Sequence, residues 1–422
     1  MTDSAGIPGG TEAAGGGPKP PSRRRRLLRW IGLGTVLLVL AGTATGWWIY
    51  NKLDANITED SSAIAELERY ERERPARAAG GAQNILLIGS DSRAGPGNAR
   101  YGLDGGRART TQRSDTTILL HVSADRRSAT AVSVPRDLMT RIPSCGRPDG
   151  SRTAEQYVQF NWAFEWGGAA CTIRTVEKLT GVRVDHHMVV DFRGFKKMVD
   201  AVGGVEICLR EPIDDAEAKL RLPAGRQVLH GEQALGFVRA RYSLGNGSDT
   251  ERMQRQQQFL GSLVKKVQSN GVLLNPARLY PLLDAATSSI TTDPGLASLR
   301  GLYELVRSMR DIPTDKVQFL TVPRHPYSAD PNRDELLEPE ASRLFRQLRD
   351  DQPLTLTPPK VGPTAEPTGP EAEAEAGEGR DGNTEARSPS PGTAPRTTPG
   401  TTGTPSPVPT FTGTTAGAAS CR

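Results

Sequence analysis

Arginine and aspartate recur together at four points of the chain: GSDSR (Asp91, Arg93), RSDT (Arg113, Asp115), VPRD (Arg136, Asp137) and the run FVRARYSLGNGSDTERMQRQQQFL (Arg239, Arg241, Asp249, Arg252, Arg255, Gln256). Each group falls at the end of a predicted element, where functional side chains are commonly held. Guanidinium groups fork onto phosphate oxygens, and the free N–H groups of a helix start add positive potential. Carboxylates such as Asp91 and Asp115 repel a bare phosphate. They make sense beside one when a divalent cation lies between the two, as in phosphoryl transfer. The mixture points to a metal–diphosphate centre. Structural ion pairs along a sheet edge would use the same residue types, and spacing alone does not separate the two.

The elements that must position these groups can be read from local patterns. NILLIGSDSR is a short apolar run ending in a turn at Gly89 to Arg93, the pattern of a buried strand. DTTILLHVSADRRSATAVSVPRD reads as two strands about a turn at Asp125 and Arg126. Asp115 precedes that turn by as many residues as Arg136 follows it, so an antiparallel hairpin sets the two side by side at its open end. Pro135 lacks a ladder donor and ends the second strand. Phe192 to Ala201 is an amphipathic helix with Phe195, Met198 and Val199 on one side, and GGVEICL is a strand. GEQALGFVRARY is a short helix leading into a strand, in which Arg239 and Arg241 would share one face. SDTE at 248–251 matches a capping box with Ser248 as N-cap. The helix it starts buries Met253, Phe259, Leu260, Leu263, Val264 and Val267. A last helix is expected from Gly295 to Met309. Strands interspersed with helices predict an α/β fold, a mixed central β-sheet with helices on both faces.

The 422 residues, 36% hydrophobic with a net charge of +5, allow one large or two modest domains. Acids nearly balance bases, so no nucleic-acid partner is expected. Residues 1–26 are Gly-, Pro- and Ala-rich and then basic, and are expected to be disordered on the cytoplasmic side. No charge interrupts the chain between Arg29 and Lys52, and a helix there is about 33 Å long, enough to cross a bilayer. Residues 27–51 therefore read as a single transmembrane helix. Arg23 to Arg26 keep its N-terminus in the cytoplasm, and Trp47, Trp48 and Tyr50 fit an outer aromatic belt. A cleaved signal peptide would have a shorter apolar core and a small-residue cleavage site.

Residues 52–81, with a charged helix at AIAELERYERER before Pro75, read as an extracellular stalk. Residues 82–356 read as the ordered domain, and 357–422 as a disordered Pro/Thr/Gly-rich tail with no core. In an oxidising compartment Cys145 and Cys171 can pair. Cys208 reads as a buried thiol and Cys421 lies in the tail. The cysteines and the five histidines lack zinc-ligand spacing, and His186 and His187 read as structural.

Several segments, in this order, resemble one family. NILLIGSDSR, RSDTTILLHV, VSVPRD, FNWAFEWGG, VVDFRGFKKMVDAVGGVEI and LHGEQALGFVRARY followed by SDTERMQRQQQFL are similar to the LytR-CpsA-Psr family over residues 84–270, behind a membrane anchor. CTIRTVEKLTG and the arginine-rich composition resemble its actinobacterial branch. The resemblance implies an outward-facing, Mg²⁺- (or Mn²⁺-) dependent phosphotransferase in the cell membrane. Its donor would be a glycopolymer on a polyprenyl diphosphate and its acceptor peptidoglycan, with polyprenyl phosphate released. Residues 82–356 would be the catalytic domain, with the carrier tail in an apolar groove between sheet and helices. By matching positions the resemblance assigns Asp91 and Asp115 to the metal. Arg93, Arg113, Arg136, Arg239, Arg241, Arg252 and Gln256 would contact the diphosphate, with Asp249 at the start of the helix that carries the last two. Catalysis would rest on Asp115, Arg113, Arg136, Arg239 and Arg241, Asp115 standing equally as general base or metal ligand.

Many relatives carry a further small folded domain where this chain has its tail. Two other readings share the residues. A polyprenyl-diphosphate hydrolase would use the same centre, and a non-catalytic wall- or lipid-binding scaffold would keep the arginines without needing Asp91 and Asp115. A transcriptional regulator finds no helix-turn-helix here. No GxxxxGKS/T, HExxH or GxSxG motif supports nucleotide, zinc-peptidase or serine-hydrolase chemistry.

Overall fold

A computed structural model of the chain describes residues 23–91, 103–104, 107–108, 112–240, 249–269, 276–358 and 410–418. The chain divides into two compact units, 1–55 and 56–422. The first holds helix α1 (Arg23–Ala55), which contains one apolar stretch, Leu27–Ala55, long enough to cross a membrane.

The second unit is built on a nine-stranded sheet. In chain order its strands are β1 (Thr58–Glu59), β2 (Gln83–Ser90), β3 (Ser114–Val122), β4 (Ala129–Val134), β5 (His186–Asp191), β6 (Ile290–Thr292), β7 (Val317–Thr321), β8 (Thr355–Thr357) and β9 (Thr410–Thr415). Across the sheet the order is β1-β6-β5-β2-β3-β4-β7-β9-β8. β2 is parallel to β5 and antiparallel to β3, β3 is antiparallel to β4, and β4 is parallel to β7, so the sheet is mixed. Helices are α2 (Ser61–Arg69), α3 (Trp162–Thr180), α4 (Phe192–Ala201), α5 (Gly231–Arg239), α6 (Asp249–Ser269), α7 (Pro276–Thr287), α8 (Leu299–Met309) and α9 (Glu340–Arg349).

Successive strand residues point to opposite faces, and the two faces carry separate cores. Leu86, Leu119, Val132 and Leu320 pack with Ile173 and Val176 of α3 and with Leu344 and Leu348 of α9. Their neighbours Ile85, Ile118, Ala131 and Phe319 pack with Leu260 and Val264 of α6 and Leu305 and Met309 of α8. A strand buried on both faces needs an unbroken apolar run, and ILLI at 85–88 supplies it. A third core joins Val199 of α4, Phe237 of α5 and Phe259 of α6 to the ribbon formed by Val205–Leu209 and Gly225–Leu229.

Helix α3 is interrupted after its first turn. Gly168 has φ 59°, a backbone state that a side chain disfavours. A Cβ on Gly167 would lie 2.8 Å from the Gly146 carbonyl oxygen and 2.9 Å from the Cys171 Cβ. The pair of glycines lets the helix bend against the Cys145–Cys171 disulfide, which the structure forms.

Several sequence expectations need correction. The stalk is part of the fold: β1 pairs with β6, and α2 buries Ala63 against the α3 side of the sheet. Glu66 of α2 accepts from the Gly146 N–H at 3.1 Å and from Arg152 at 3.0 Å, so its charged face is bound, not solvated. The tail also contributes. Residues 410–415 form β9 between β7 and β8, burying Phe411, because a β-branched Thr run can fill an open place in a sheet whatever the composition before it. Cys208 is disulfide-bonded, not a free thiol, and its partner lies outside the described residues. The expected helix from Gly295 begins instead at Leu299, where the Ser298 hydroxyl accepts from the Gly301 N–H and caps it. Ser248, the expected N-cap of α6, lies outside the described residues.

Candidate active site

The charged groups meet at one edge of the sheet. β2, β4 and β5 run the same way, and Asp91, Arg136–Asp137 and Asp191 stand at or just beyond their carboxyl ends. Ligands of open α/β sheets bind at such an edge. The antiparallel β3 starts there, which brings Arg113 and Asp115 to the same place. The hairpin register pairs Val122 with Ala129 and Thr117 with Val134. Continued two residues, it sets Asp115 opposite Arg136. The Arg136 Nη1 indeed donates to Asp115 Oδ1 at 3.0 Å.

Local contacts fix the remaining side chains. The Arg113 N–H donates to Asp91 Oδ1 at 2.6 Å, and the Asp91 N–H donates to the Arg113 carbonyl at 2.9 Å. The Arg113 guanidinium donates to Glu165 on α3 at 2.6 Å and lies 5.9 Å from the Trp162 ring. Arg136 also reaches Asp137 through Nε at 3.2 Å, while Gln159 donates to the other Asp137 oxygen at 3.0 Å. Asn161, whose N–H donates to the Arg136 carbonyl at 3.0 Å, precedes α3. Its side-chain oxygen is buried with no hydrogen-bond partner among the described residues, although the residue lines the cavity. An unpartnered buried acceptor is costly, and a donor on a ligand would relieve it.

On the opposite wall, Arg239 ends α5 with its guanidinium 4.9 Å over the Phe192 ring. Arg252 on α6 is 5% exposed, and Gln256 one turn later donates to the Val238 carbonyl at 3.2 Å. Arg255 is also buried and donates to the Ala240 carbonyl. Burial pulls its pKa down, and the charges of Glu251 and Asp215 work against that shift.

These groups surround one cavity of about 470 Å³, within the usual size of a small-molecule site. Its lining has two characters. Charged groups line the cavity (Asp91, Arg113, Asp115, Arg136, Arg239 and Arg252), and so do the apolar Phe192, Phe195, Leu235, Val238, Phe259 and Leu260 of α4, α5 and α6. The Phe195 and Phe259 rings pack against each other there, centroids 5.5 Å apart. The charge balance matters. Asp91, Asp115, Asp137, Asp191, Asp215 and Glu217 outnumber Arg113, Arg136, Arg239 and Arg252 among the described lining residues. The described lining alone therefore offers a diphosphate several carboxylates beside its arginines, a mixture that a divalent cation would reconcile. No group of three or more His, Cys, Asp or Glu residues among the described residues forms a metal cage. One or two carboxylates completed by substrate phosphates is, however, the usual donor set for magnesium. Asp91 and Asp115 fit that role.

Asp91, Arg113, Asp115, Arg136, Arg239, Arg252 and Gln256 were all expected at the site, and all line this cavity. Arg93 and Arg241 lie outside the described residues, as does the Asp249 side chain, although Asp249 begins α6. Arg239 reaches the cavity from a helix, not from the expected strand. The His230–Gln233 capping box and the buried Ala234 and Phe237 carry the helix through to Arg239, and tertiary packing overrides the alternation. Asn161, Asp191, Asp215, Glu217 and Gln159 were not foreseen. Asp191 had a local signal, as the N-cap acceptor for Gly194 at 2.7 Å before an amphipathic helix. Asp215 and Glu217 had none, since only folding brings the hairpin of Ile213–Asp215 and Leu220–Leu222 to the cavity.

A model of the LytR_cpsA_psr family matches residues 51–349. Cell wall biosynthesis protein LcpA of Corynebacterium glutamicum is 36% identical over 267 residues, which cover 58% of this chain and 51% of that protein. The polyisoprenyl-teichoic acid–peptidoglycan teichoic acid transferase TagU of Bacillus cereus is 30% identical over 251 residues, 57% of this chain and 71% of that protein. The crystal structure of protein gbs0355 from Streptococcus agalactiae shares the fold with a TM-score of 0.50 at 21% identity, covering 65% of this chain and 89% of that one. The chain spans about half the length of the corynebacterial relatives it matches. With the family's pattern running from the end of α1 through α9, the chain belongs to the LytR_cpsA_psr family.

Proposed function

We propose that the protein is a membrane-anchored phosphotransferase that moves a glycopolymer from a polyprenyl-diphosphate carrier to peptidoglycan. The observation that carries this reading is a single cavity lined both by guanidinium and carboxylate groups and by aromatic and aliphatic side chains. A diphosphate joined to an alkyl chain has the same two characters. Burial of the chain contributes about 0.8 kcal/mol per CH₂. Helix α1 would hold the enzyme in the bilayer that carries the donor, which raises the effective donor concentration. Arg23 to Arg26 ahead of its apolar stretch would keep the N-terminus cytoplasmic and the site outside.

In the reaction, a hydroxyl oxygen of the acceptor bonds to the glycan-side phosphorus. The bond from that phosphorus to the bridging oxygen breaks, and polyprenyl phosphate leaves with the electron pair. Asp115 receives the hydroxyl proton. Arg113, Arg136 and Arg239, with Arg93 and Arg241, stabilise the charge that builds on the leaving phosphate. With Asp115 as the base, a magnesium ion held by Asp91 would supply charge neutralisation to the diphosphate. The aspartates favour this reading over a lipid-binding scaffold, which has no use for them.

The test is incubation of the purified protein with a short synthetic polyprenyl-diphosphate glycan, Mg²⁺ and peptidoglycan chains. Covalent glycan on the peptidoglycan, with polyprenyl phosphate released in equal amount, is the expected result. Release of free glycan phosphate with no transfer would replace this reading with a hydrolase.

A further inference from the structure

A second cavity, of about 820 Å³, shares Arg136 and Asp137 with the first. One guanidinium–carboxylate pair thus forms the partition between two compartments. The far side is built from three elements: the first turns of α6, the hairpin of Arg324–Tyr327 with Asp330–Leu336, and strand β9. They are tied together. Arg324 donates to the Thr250 hydroxyl at 2.5 Å and forms an ion pair with Asp334, whose N–H donates to the Asp137 carbonyl at 3.3 Å. Gln257 of α6 donates to Ser133 at 3.2 Å and Thr321 at 3.1 Å, fastening the helix to the sheet.

The chemistry of this second lining differs from the first. Gln254, His325, Asn332 and Thr412 are exposed along its rim. Amides and hydroxyls of this kind both donate and accept, as do the hydroxyl and acetamido groups of an aminosugar chain. The Gln254 and Thr412 side chains make no hydrogen bond among the described residues, so they can meet a ligand without breaking one. The compartment is poorly suited to a second anion. Arg136 and Arg324 are each already ion-paired to a carboxylate, and Asp137, Asp334 and Glu340 line the same space.

We propose that this compartment is the acceptor subsite, taking an uncharged run of an aminosugar glycan strand and presenting its hydroxyl over the Arg136–Asp137 partition to the phosphorus in the first cavity. The proposal rests on the transferase reading and adds where the acceptor lies and which residues select it. β9, from a stretch that sequence composition assigns to a tail, forms part of the wall. The hydroxyl oxygen forms its bond to phosphorus as the bridging oxygen leaves, and the proton passes to Asp115, so no further reactant is needed.

The experiment uses the full chain in nanodiscs, a short polyprenyl-diphosphate glycan and purified, uncrosslinked peptidoglycan glycan strands. Thr412→Trp fills the compartment from an exposed strand position, and Gln254→Ala with Asn332→Ala removes two rim amides. Both variants should raise the KM for glycan strands at least tenfold while donor binding stays within twofold of the parent. Transfer by the parent with an unchanged acceptor KM in the double variant and in a folded Thr412→Trp protein overturns the subsite but leaves the transferase intact. If the parent transfers nothing, the transferase reading fails, and calorimetric titration of the strands decides the compartment alone. Binding that is lost in the variants supports it, whereas equal binding, or none by the parent, overturns it.

Discussion

Replacing Arg136 should slow transfer by orders of magnitude without unfolding the protein, and the structure sets the size of both effects. The guanidinium spans two carboxylates, with Nη1 3.0 Å from Asp115 and Nε 3.2 Å from Asp137. Its side chain is 21% exposed and those of its partners 31% and 20%, so these are partly solvated pairs. Such pairs contribute about 0.2–1 kcal/mol each. Losing both costs on the order of 1–2 kcal/mol, a few degrees in Tm for a domain of this size. Against a global stability of about 5–15 kcal/mol, the folded fraction at assay temperature hardly changes. Losing one preorganised donor to a developing phosphate charge costs about 10²–10³ in rate, on the order of 3–4 kcal/mol of activation energy. The chemical effect is the larger one. Arg136→Ala should therefore lower kcat by about 10²–10³ at nearly unchanged far-UV circular dichroism. Arg136→Lys keeps the charge, but one ammonium cannot replace a fork that reaches two carboxylates, so a loss of about tenfold or more is expected. The assay is transfer of labelled glycan to peptidoglycan chains alongside a thermal melt. An alanine variant that keeps its Tm and transfers within threefold of the parent would refute the assignment of Arg136.

Phe411→Ala should destabilise the folded domain by about 3 kcal/mol in chemical denaturation, because Phe411 is buried with Leu344, Phe345 and Leu348. No loss would show that 410–415 does not belong to the sheet. Replacing Cys145 and Cys171 together by serine removes a cross-link between positions separated by 26 in sequence. The expected cost is about 3–4 kcal/mol, read as a lower denaturation midpoint under non-reducing conditions. Acid should weaken the contact between β5 and the segment after β6. Burial alone would raise the pKa of Asp293, but the hydrogen bond and charge of His186 and the N–H of His187 hold it below the usual carboxylate value. A lowered folded pKa gives stability that is present above the unfolded pKa of about 4 and is lost as pH falls through the folded value. Asp293→Asn should flatten the acid limb of a Tm-against-pH curve below about pH 4, and an unchanged limb would sink that account.

How much of this was legible in the sequence follows from how local each cause is. The pairing of Asp115 with Arg136 needs only a turn position and an antiparallel register, both written within one short stretch, and the 3.0 Å contact agrees. Helix α4 keeps the expected bounds because its apolar spacing and its Asp191 cap lie inside one segment. Ala341, Leu344, Phe345 and Leu348 carry the same helical spacing, so α9 belonged among the expected helices and was missed for no physical reason. The RAR alternation suits a strand as well as a helix end, and only packing of Phe237 decided for α5. Asn161, Asp215 and Glu217 owe their place at the cavity to elements distant in sequence, and no local pattern marks them. Ala63, Glu66 and Phe411 show the limit of composition as a guide, since charged or Thr-rich stretches can still supply one side chain that the core requires.

Strand β9 has a bearing on how the molecule is made. It separates β7 from β8, and among the described residues β8 has no other neighbour in the sheet. Residues 358–409 must be synthesised before it arrives. Until then the flank of Val317–Thr321 keeps unpaired N–H and C=O groups beside apolar side chains, a surface on which other chains can assemble. Folding of this protein is therefore coupled to late closure of its own sheet. A protease cut anywhere between 358 and 409 would be felt far upstream, along β7.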